Sequence, residues 1–174
     1  MLKRFYPKNE AESAYEIEYE KLYGEGYRGI IFDIDNTLVP HNAPADKKAV
    51  GLFARLRAIG YRTMILSNNK EPRVKSFCDA VGSPYIFKAG KPKRSGYERA
   101  MQLMGTTREN TFFVGDQLFT DVWGASRTGI NNYLVRPIHP KEEIQIVLKR
   151  KLEKIVLRSY HKNKRKRGMY CNGN

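Results

Sequence analysis

Cysteine is scarce. Cys78 and Cys171 are the only two in 174 residues, too few for a disulfide framework and without the spacing of a zinc site. Cys78 falls inside a predicted helix as a small core residue, and Cys171 lacks the aliphatic neighbours of a prenylation signal. No apolar run approaches the roughly 20 residues that a membrane-spanning helix requires. The opening Met1-Leu2-Lys3-Arg4-Phe5-Tyr6-Pro7 has no apolar h-region, and a reducing cytoplasm is the expected setting. There is no Gly-x-x-x-x-Gly-Lys phosphate loop. The one dinucleotide-type glycine spacing, Gly24-Glu25-Gly26-Tyr27-Arg28-Gly29, comes before a strand instead of after it, so a turn suffices. Acid is in deficit, with 18 Asp and Glu against 32 Lys and Arg, a net charge of +14. Much of that excess lies in residues 149–167, which hold ten Lys or Arg and a single Glu.

What is present is organised around Arg28-Gly29-Ile30-Ile31-Phe32-Asp33-Ile34-Asp35-Asn36-Thr37-Leu38-Val39. The apolar run predicts a strand buried on both faces, and it ends in two carboxylates and a threonine. A carboxylate at that place has no packing role, because burying it without a partner is costly. Further along, strands are predicted at 63–66, 85–87, 111–114 and 131–135. Helices are predicted over about 46–59 (Val50, Phe53, Ala54 and Leu56 on one side), 71–81, 91–104 and 119–128. Strand alternating with helix predicts an α/β fold, a Rossmann-like three-layer sandwich with a central parallel sheet of about five strands. Residues 1–27 read as an N-terminal arm or short helix, 28–136 as the catalytic core, 137–158 as a C-terminal helix, and 159–174 as a basic disordered tail.

Polar residues recur where successive strands end: Asp33, Asp35 and Thr37, then Ser67 and Asn68, then Lys91, then Asp116 and Asp121. A parallel sheet gathers all its strand C-termini at one edge, the edge where open α/β sheets bind ligands. Each residue has a plainer alternative. The Asp and Asn residues of 33–36 suit a turn, Ser67 a helix cap, Lys91 a solvated surface, and Asp121 the first turn of a helix. Lys88, Lys93 and Arg94 compete with Lys91 as the cation of the site.

The Asp-x-Asp-x-Thr run after a buried strand resembles the first motif of the haloacid dehalogenase (HAD) superfamily. Ser67, Lys91 and Gly115-Asp116-Gln117-Leu118-Phe119-Thr120-Asp121 resemble its second, third and fourth. The resemblance implies Asp33 as a nucleophile that takes phosphate as an aspartyl-phosphate and Asp35 as general acid and base. It implies Lys91 as the cation over the phosphoryl oxygens, and Thr37, Ser67 and Asn68 as phosphate-binding groups. It further implies Mg²⁺ on Asp33, the Asp35 main-chain carbonyl and Asp116, with Asp121 behind them orienting a bound water or Lys91. Such chemistry splits hydrolysis into two displacements and rests on positioning and electrostatics. With Leu66-Ser67-Asn68-Asn69, Gly90-Lys91-Pro92-Lys93 and the Phe5-Tyr6-Pro7 start, the chain is similar to the YqeG-like family of HAD subclass IIIA. Related enzymes there are phosphatidylglycerophosphate phosphatases.

The intervals from Asp35 to Ser67 and from Asn69 to Lys91 have no room for a cap domain. An open site favours a substrate presented on a membrane or a macromolecule. Glu143 to Leu157 predicts a helix with Ile144, Val147, Leu148, Leu152 and Ile155 at helical spacing, leading into His161-Lys162-Asn163-Lys164-Arg165-Lys166-Arg167. A basic amphipathic helix suits an anionic phospholipid surface, which makes the expected protein peripheral at the inner face of the plasma membrane. Nucleic acid is the competing partner for the basic end. The competing functions are a phosphatase of nucleic-acid termini or phosphoproteins, and a non-catalytic membrane- or RNA-binding module.

Overall fold

The computed structural model describes residues 2–139 and 144–171, with side chains described to Arg165 save those of 144–150. In chain order the elements are β1 (Asn9–Ala11), α1 (Tyr19–Gly24), β2 (Gly29–Phe32), α2 (Lys47–Ile59), β3 (Arg62–Leu66) and α3 (Glu71–Val81). They continue with β4 (Tyr85–Ile86), α4 (Arg94–Met104), β5 (Thr111–Gly115), a π-helical turn (Leu118–Val122) running into α5 (Trp123–Thr128), β6 (Asn131–Val135) and α6 (Ile144–Cys171). The sheet is parallel throughout, in the order β1-β6-β5-β2-β3-β4.

β2 is central, hydrogen-bonded to β3 and β5, which explains its unbroken apolar run. Ile30 and Phe32 enter one core with Tyr19, Phe53, Phe77 and Phe112. Ile31, between them, enters the other with Met64, Tyr97, Met101 and Phe113. The two-residue side-chain period of a strand sends neighbours to opposite faces, and helices cover both. Local chemistry sets the helix ends. Asp46 accepts a hydrogen bond from the Ala49 N–H at 2.8 Å and caps α2. Gly60 closes α2 at φ +109°, a conformation that favours glycine. The buried face of α2 carries Ala49, Leu52, Phe53 and Leu56. It is turned from the expected one, since Val50 and Ala54 are exposed. Pro92 does not open α4; it stands two residues ahead of it.

Three expectations are corrected. The sheet has six strands, not five, because the presumed N-terminal arm supplies β1. That strand is three residues long with no apolar alternation to announce it. It pairs in parallel with β6, Asn9 opposite Tyr133 and Ala11 opposite Val135, and asparagine side chains reinforce the pairing, with Asn9 Nδ2 donating to Asn131 Oδ1 at 2.9 Å and the Lys8 N–H to Asn132 Oδ1 at 3.0 Å. The rest of the arm is core: Tyr19 is fully buried and donates to the Ala14 carbonyl at 2.6 Å.

The basic tail is helical through Cys171, with no break at 158/159. Lys and Arg are good helix formers, and tertiary bonds anchor the middle of α6. The Tyr6 and Ser159 hydroxyls lie 2.7 Å apart, Asn163 Nδ2 donates to Tyr6 Oη at 2.8 Å, and His161 Nε2 lies 2.9 Å from Glu10. The expected apolar face of α6 is also displaced. Leu152 and Ile155 are 53% and 56% exposed, and Val156 and Glu153 are buried instead. Glu143 and residues 172–174 lie outside the described residues, as do the side chains of Ile144, Val147 and Leu148.

Phe53→Ala is expected to cost about 3–5 kcal/mol in urea denaturation, as for a buried aromatic left as a cavity. Leu103→Ala, at a position 60% exposed, is expected to stay within about 0.5 kcal/mol.

Candidate active site

The Asp33 N–H donates to the Val114 carbonyl at 3.0 Å, so the ladder of β2 reaches the carboxylate and holds it at the strand edge. There the chain turns sharply. Ile34 O accepts from Thr37 N and Leu38 N at 3.2 and 2.9 Å, and Asn36 sits at φ +62°, a region that Asn tolerates better than most residues. Asp33, Asp116 and Asp121 are buried, and one oxygen of each lies within 4.8 Å of the others. Gly115 permits this closeness: a Cβ there would stand 2.5 Å from Asp121 Oδ2.

Lys91 settles the competition among cations. It is buried while Lys88, Lys93 and Arg94 are exposed. Its Nζ lies 2.6 Å from Asp33 Oδ1 and 2.8 Å from Asp121 Oδ1. Burial pulls the ammonium down, but Asp121 and Asp33 outweigh it and hold the group above the usual lysine range. Burial also raises the Asp33 carboxyl, against Lys91 and with Asp121, to about 7. Asp33 and Asp121 share one buried ammonium, the Asp116 carboxylate lies close to both, and oxygen-only donors suit a hard divalent cation. Asp121 already serves Lys91 and accepts from the Gln117 N–H at 3.1 Å. Asp33 and Asp116 are therefore the carboxylates suited to direct ligation.

Other expected residues are placed less simply. Ser67 is buried at the end of β3 and its Oγ accepts from the Asn69 N–H at 3.2 Å, which keeps its O–H for a ligand oxygen. Thr37 Oγ1 donates to Asp116 Oδ1 at 3.3 Å, so it steadies a carboxylate. Asn68, expected among the phosphate-binding groups, holds the Lys91 backbone. Its Oδ1 accepts from Lys91 N at 2.8 Å and its Nδ2 donates to Lys91 O at 3.1 Å, the pattern of one more strand residue. Asp35 stays out of the carboxylate cluster. It accepts from Asn42 N, Asn69 Nδ2 and Arg73 Nη2 at 2.8, 2.7 and 2.9 Å.

Three supporting residues escaped the sequence reading. Arg73 meets Asp35 from the first turn of α3, and Tyr97 Oη donates to the Thr120 carbonyl at 2.9 Å beneath the π-helical turn. Glu153, buried on α6, accepts from the Leu118 N–H at 2.8 Å. It caps from outside a turn that has no side-chain cap of its own. Its signal was present: it is the lone acid among the ten basic residues of 149–167.

The Asp33 carboxyl sets an expected pH dependence. Folded protein keeps a proton there that the unfolded chain releases near pH 3.9. The stability from that difference is full below about pH 4 and lost as pH rises through about 7. Without divalent cation, the Tm of the wild type is expected to fall from pH 5 to pH 8 more than that of Asp33→Asn. Parallel slopes in scanning calorimetry would count against it.

A family model described as haloacid dehalogenase-like hydrolase matches residues 41–129, a span that takes in Ser67, Lys91, Asp116 and Asp121. The chain is 36% identical over 159 residues to Probable phosphatase YqeG of Bacillus subtilis (strain 168), covering 90% of this chain and 92% of that protein. It is 26% identical over 155 residues to phosphatidylglycerophosphate phosphatase 1, chloroplastic/mitochondrial, of Arabidopsis thaliana, covering 83% of this chain but 44% of that protein. Among solved structures, a HAD phosphatase from Thermococcus onnurineus is similar in fold, with a TM-score of 0.51 and 15% identity over 67% of this chain and 90% of that one. With a family model matched over half of its length and a relative of that closeness along nine tenths of it, the chain belongs to the haloacid dehalogenase-like hydrolases, in the YqeG group of that family's phosphatases.

Proposed function

We propose that the protein is a Mg²⁺-dependent phosphomonoesterase that converts phosphatidylglycerophosphate to phosphatidylglycerol. The observation that carries the reading is the buried Asp33, held 2.6 Å from Lys91 and beside Asp116 at the sheet edge. An Asp33 oxygen attacks phosphorus, and the bond from phosphorus to the leaving alkoxide breaks as the aspartyl-phosphate forms. Asp35 gives the alkoxide its proton. To do so it exchanges Arg73 and Asn69 for the leaving oxygen. The same carboxylate then takes a proton from water, the water oxygen attacks phosphorus, and the Asp33–phosphate bond breaks to release phosphate. Lys91 and the Ser67 hydroxyl bear on the phosphoryl oxygens, where charge builds up. Mg²⁺, held by Asp33, Asp116 and the Asp35 carbonyl, would supply charge neutralisation at the same oxygens.

The lipid substrate is supported by three observations. The similar plant protein is named for this activity. Only α2 and short loops lie between β2 and β3, and only α3 between β3 and β4, so no cap element encloses the site among the described residues. Finally, α6 exposes Lys151, Leu152, Ile155, Arg158 and Lys162, apolar and basic side chains together. That face suits an anionic bilayer, where each Lys or Arg contributes about 1 kcal/mol. Among the described residues no helix is long and apolar enough to cross a membrane.

Phosphate release from phosphatidylglycerophosphate in mixed micelles with Mg²⁺ is expected from the wild type and not from Asp33→Asn. Hydrolysis of a soluble ester without the lipid would keep the phosphatase and discard this substrate. End-labelled oligonucleotides losing their phosphate instead would favour a nucleic-acid terminus. In a second measurement, Lys151→Glu with Arg158→Glu is expected to lower turnover on anionic vesicles, relative to a soluble ester, by about tenfold or more. An unchanged ratio would remove α6 from membrane docking.

A further inference from the structure

A groove of about 500 Å³ opens beside the catalytic cluster, between the C-terminal ends of β1 and β6 and the inner side of α6. Asp116 is part of its lining, and Leu118, Leu134, Val135, Pro137 and Leu157 supply apolar walls. We propose that this groove is a leaving-group subsite for the aliphatic part of an amphiphilic phosphate monoester. The proposal rests on the phosphatase reading of the site.

Three observations carry it. The first is continuity: Asp116 belongs both to the three-carboxylate cluster and to the groove lining, which makes the groove the immediate neighbour of the cluster. The second is chemistry. The acids around the groove are engaged with the protein itself. Glu12 lies 2.9 Å from Arg136, Glu10 lies 2.9 Å from His161, and Glu153 accepts from the Leu118 N–H. Side chains satisfied in this way leave an apolar interior, which gains by exchanging water for methylene groups.

The third observation is the α6 wall. Lys154 and His161 line the groove from α6 and are exposed, on the helix that also exposes Leu152 and Ile155. The groove thus connects the face suited to lipid with the carboxylate cluster. In this arrangement α6 does what a cap does in a closed site, by walling the leaving-group side. Val156 and Glu153 seat it on the Leu118–Val122 turn, and the Tyr6–Ser159 hydroxyl contact ties it to the N-terminus.

The test uses n-alkyl phosphonates, non-hydrolysable analogues of phosphate monoesters, titrated into the full chain with Mg²⁺ by calorimetry. Methyl, butyl and octyl phosphonate are compared for the wild type, Leu157→Trp and Ala11→Phe. The two substitutions narrow the groove from opposite walls at half-buried positions. The affinity ratio of octyl to methyl is expected to be about tenfold or more for the wild type, given a gain of roughly fourfold for each fully buried methylene. It is expected to fall towards one in each variant that keeps the wild-type circular dichroism. Equal affinities for methyl and octyl in the wild type would overturn the groove and leave the phosphatase reading standing. A ratio that persists in a folded variant would place the chain elsewhere and overturn it too. No binding of any phosphonate, methyl included, would overturn both readings.

Discussion

One buried ammonium holds the site together. Lys91 bridges Asp33 and Asp121 at 2.6 and 2.8 Å, and without it three carboxylates would crowd together in a place that excludes water. Burying a charge is tolerable when it is paired and hydrogen-bonded. Here one cation is shared between two acids, and the Asp116 carboxylate beside them completes an oxygen cluster that suits a divalent cation. The surrounding structure serves this contact. Asn68 grips the Lys91 backbone from both sides, Gly115 gives Asp121 the space of a missing Cβ, and Tyr97 supports the turn that carries Asp121.

That arrangement depends on the sheet. β3, β2 and β5 lie side by side, all parallel, and end at the same edge. Residues 33, 67 and 116 are far apart in the chain but leave neighbouring strands at one level. Helices on both faces bury Ile30, Ile31 and Phe32 completely, so Asp33, the proposed nucleophile, is mounted at the end of a strand buried on both sides. Around it stand the turn at Asn36, the Asp35–Arg73–Asn69 contacts, and α6 against the Leu118–Val122 turn.

The core strands and the identity of the cluster were legible because their signals are local. Three apolar residues, Ile30, Ile31 and Phe32, followed by Asp33-Ile34-Asp35 announce a buried strand ending in chemistry, and the same pattern recurs at Ser67 and Asp116. Other features were not legible, because they are made by partners far away in sequence. Asn9–Ala11 becomes a strand by pairing with β6, more than a hundred residues on, where the side chains of Asn131 and Asn132 reinforce it. Asn68 bonds the backbone of Lys91, twenty-three residues on, a contact its own motif does not announce. The face that α6 buries is set by Leu118, Leu134 and Phe5, not by its own periodicity, so Val156 and Glu153 went inward while Leu152 and Ile155 stayed out.

The sequence by itself determined the parallel α/β fold, the strand-edge clustering of Asp33, Ser67, Lys91 and Asp116, and the absence of space for a cap. Hydrophobic period and residue type act over a few positions, and that suffices for each of these. Only the tertiary structure decided which lysine enters the cluster, where Asp35 rests, and what walls the site. Each of those is a choice among groups of similar chemistry. Burial makes the choice: Lys91 is enclosed with two carboxylates while Lys88 and Lys93 remain in water, and that enclosure exists only once the sheet and helices have packed.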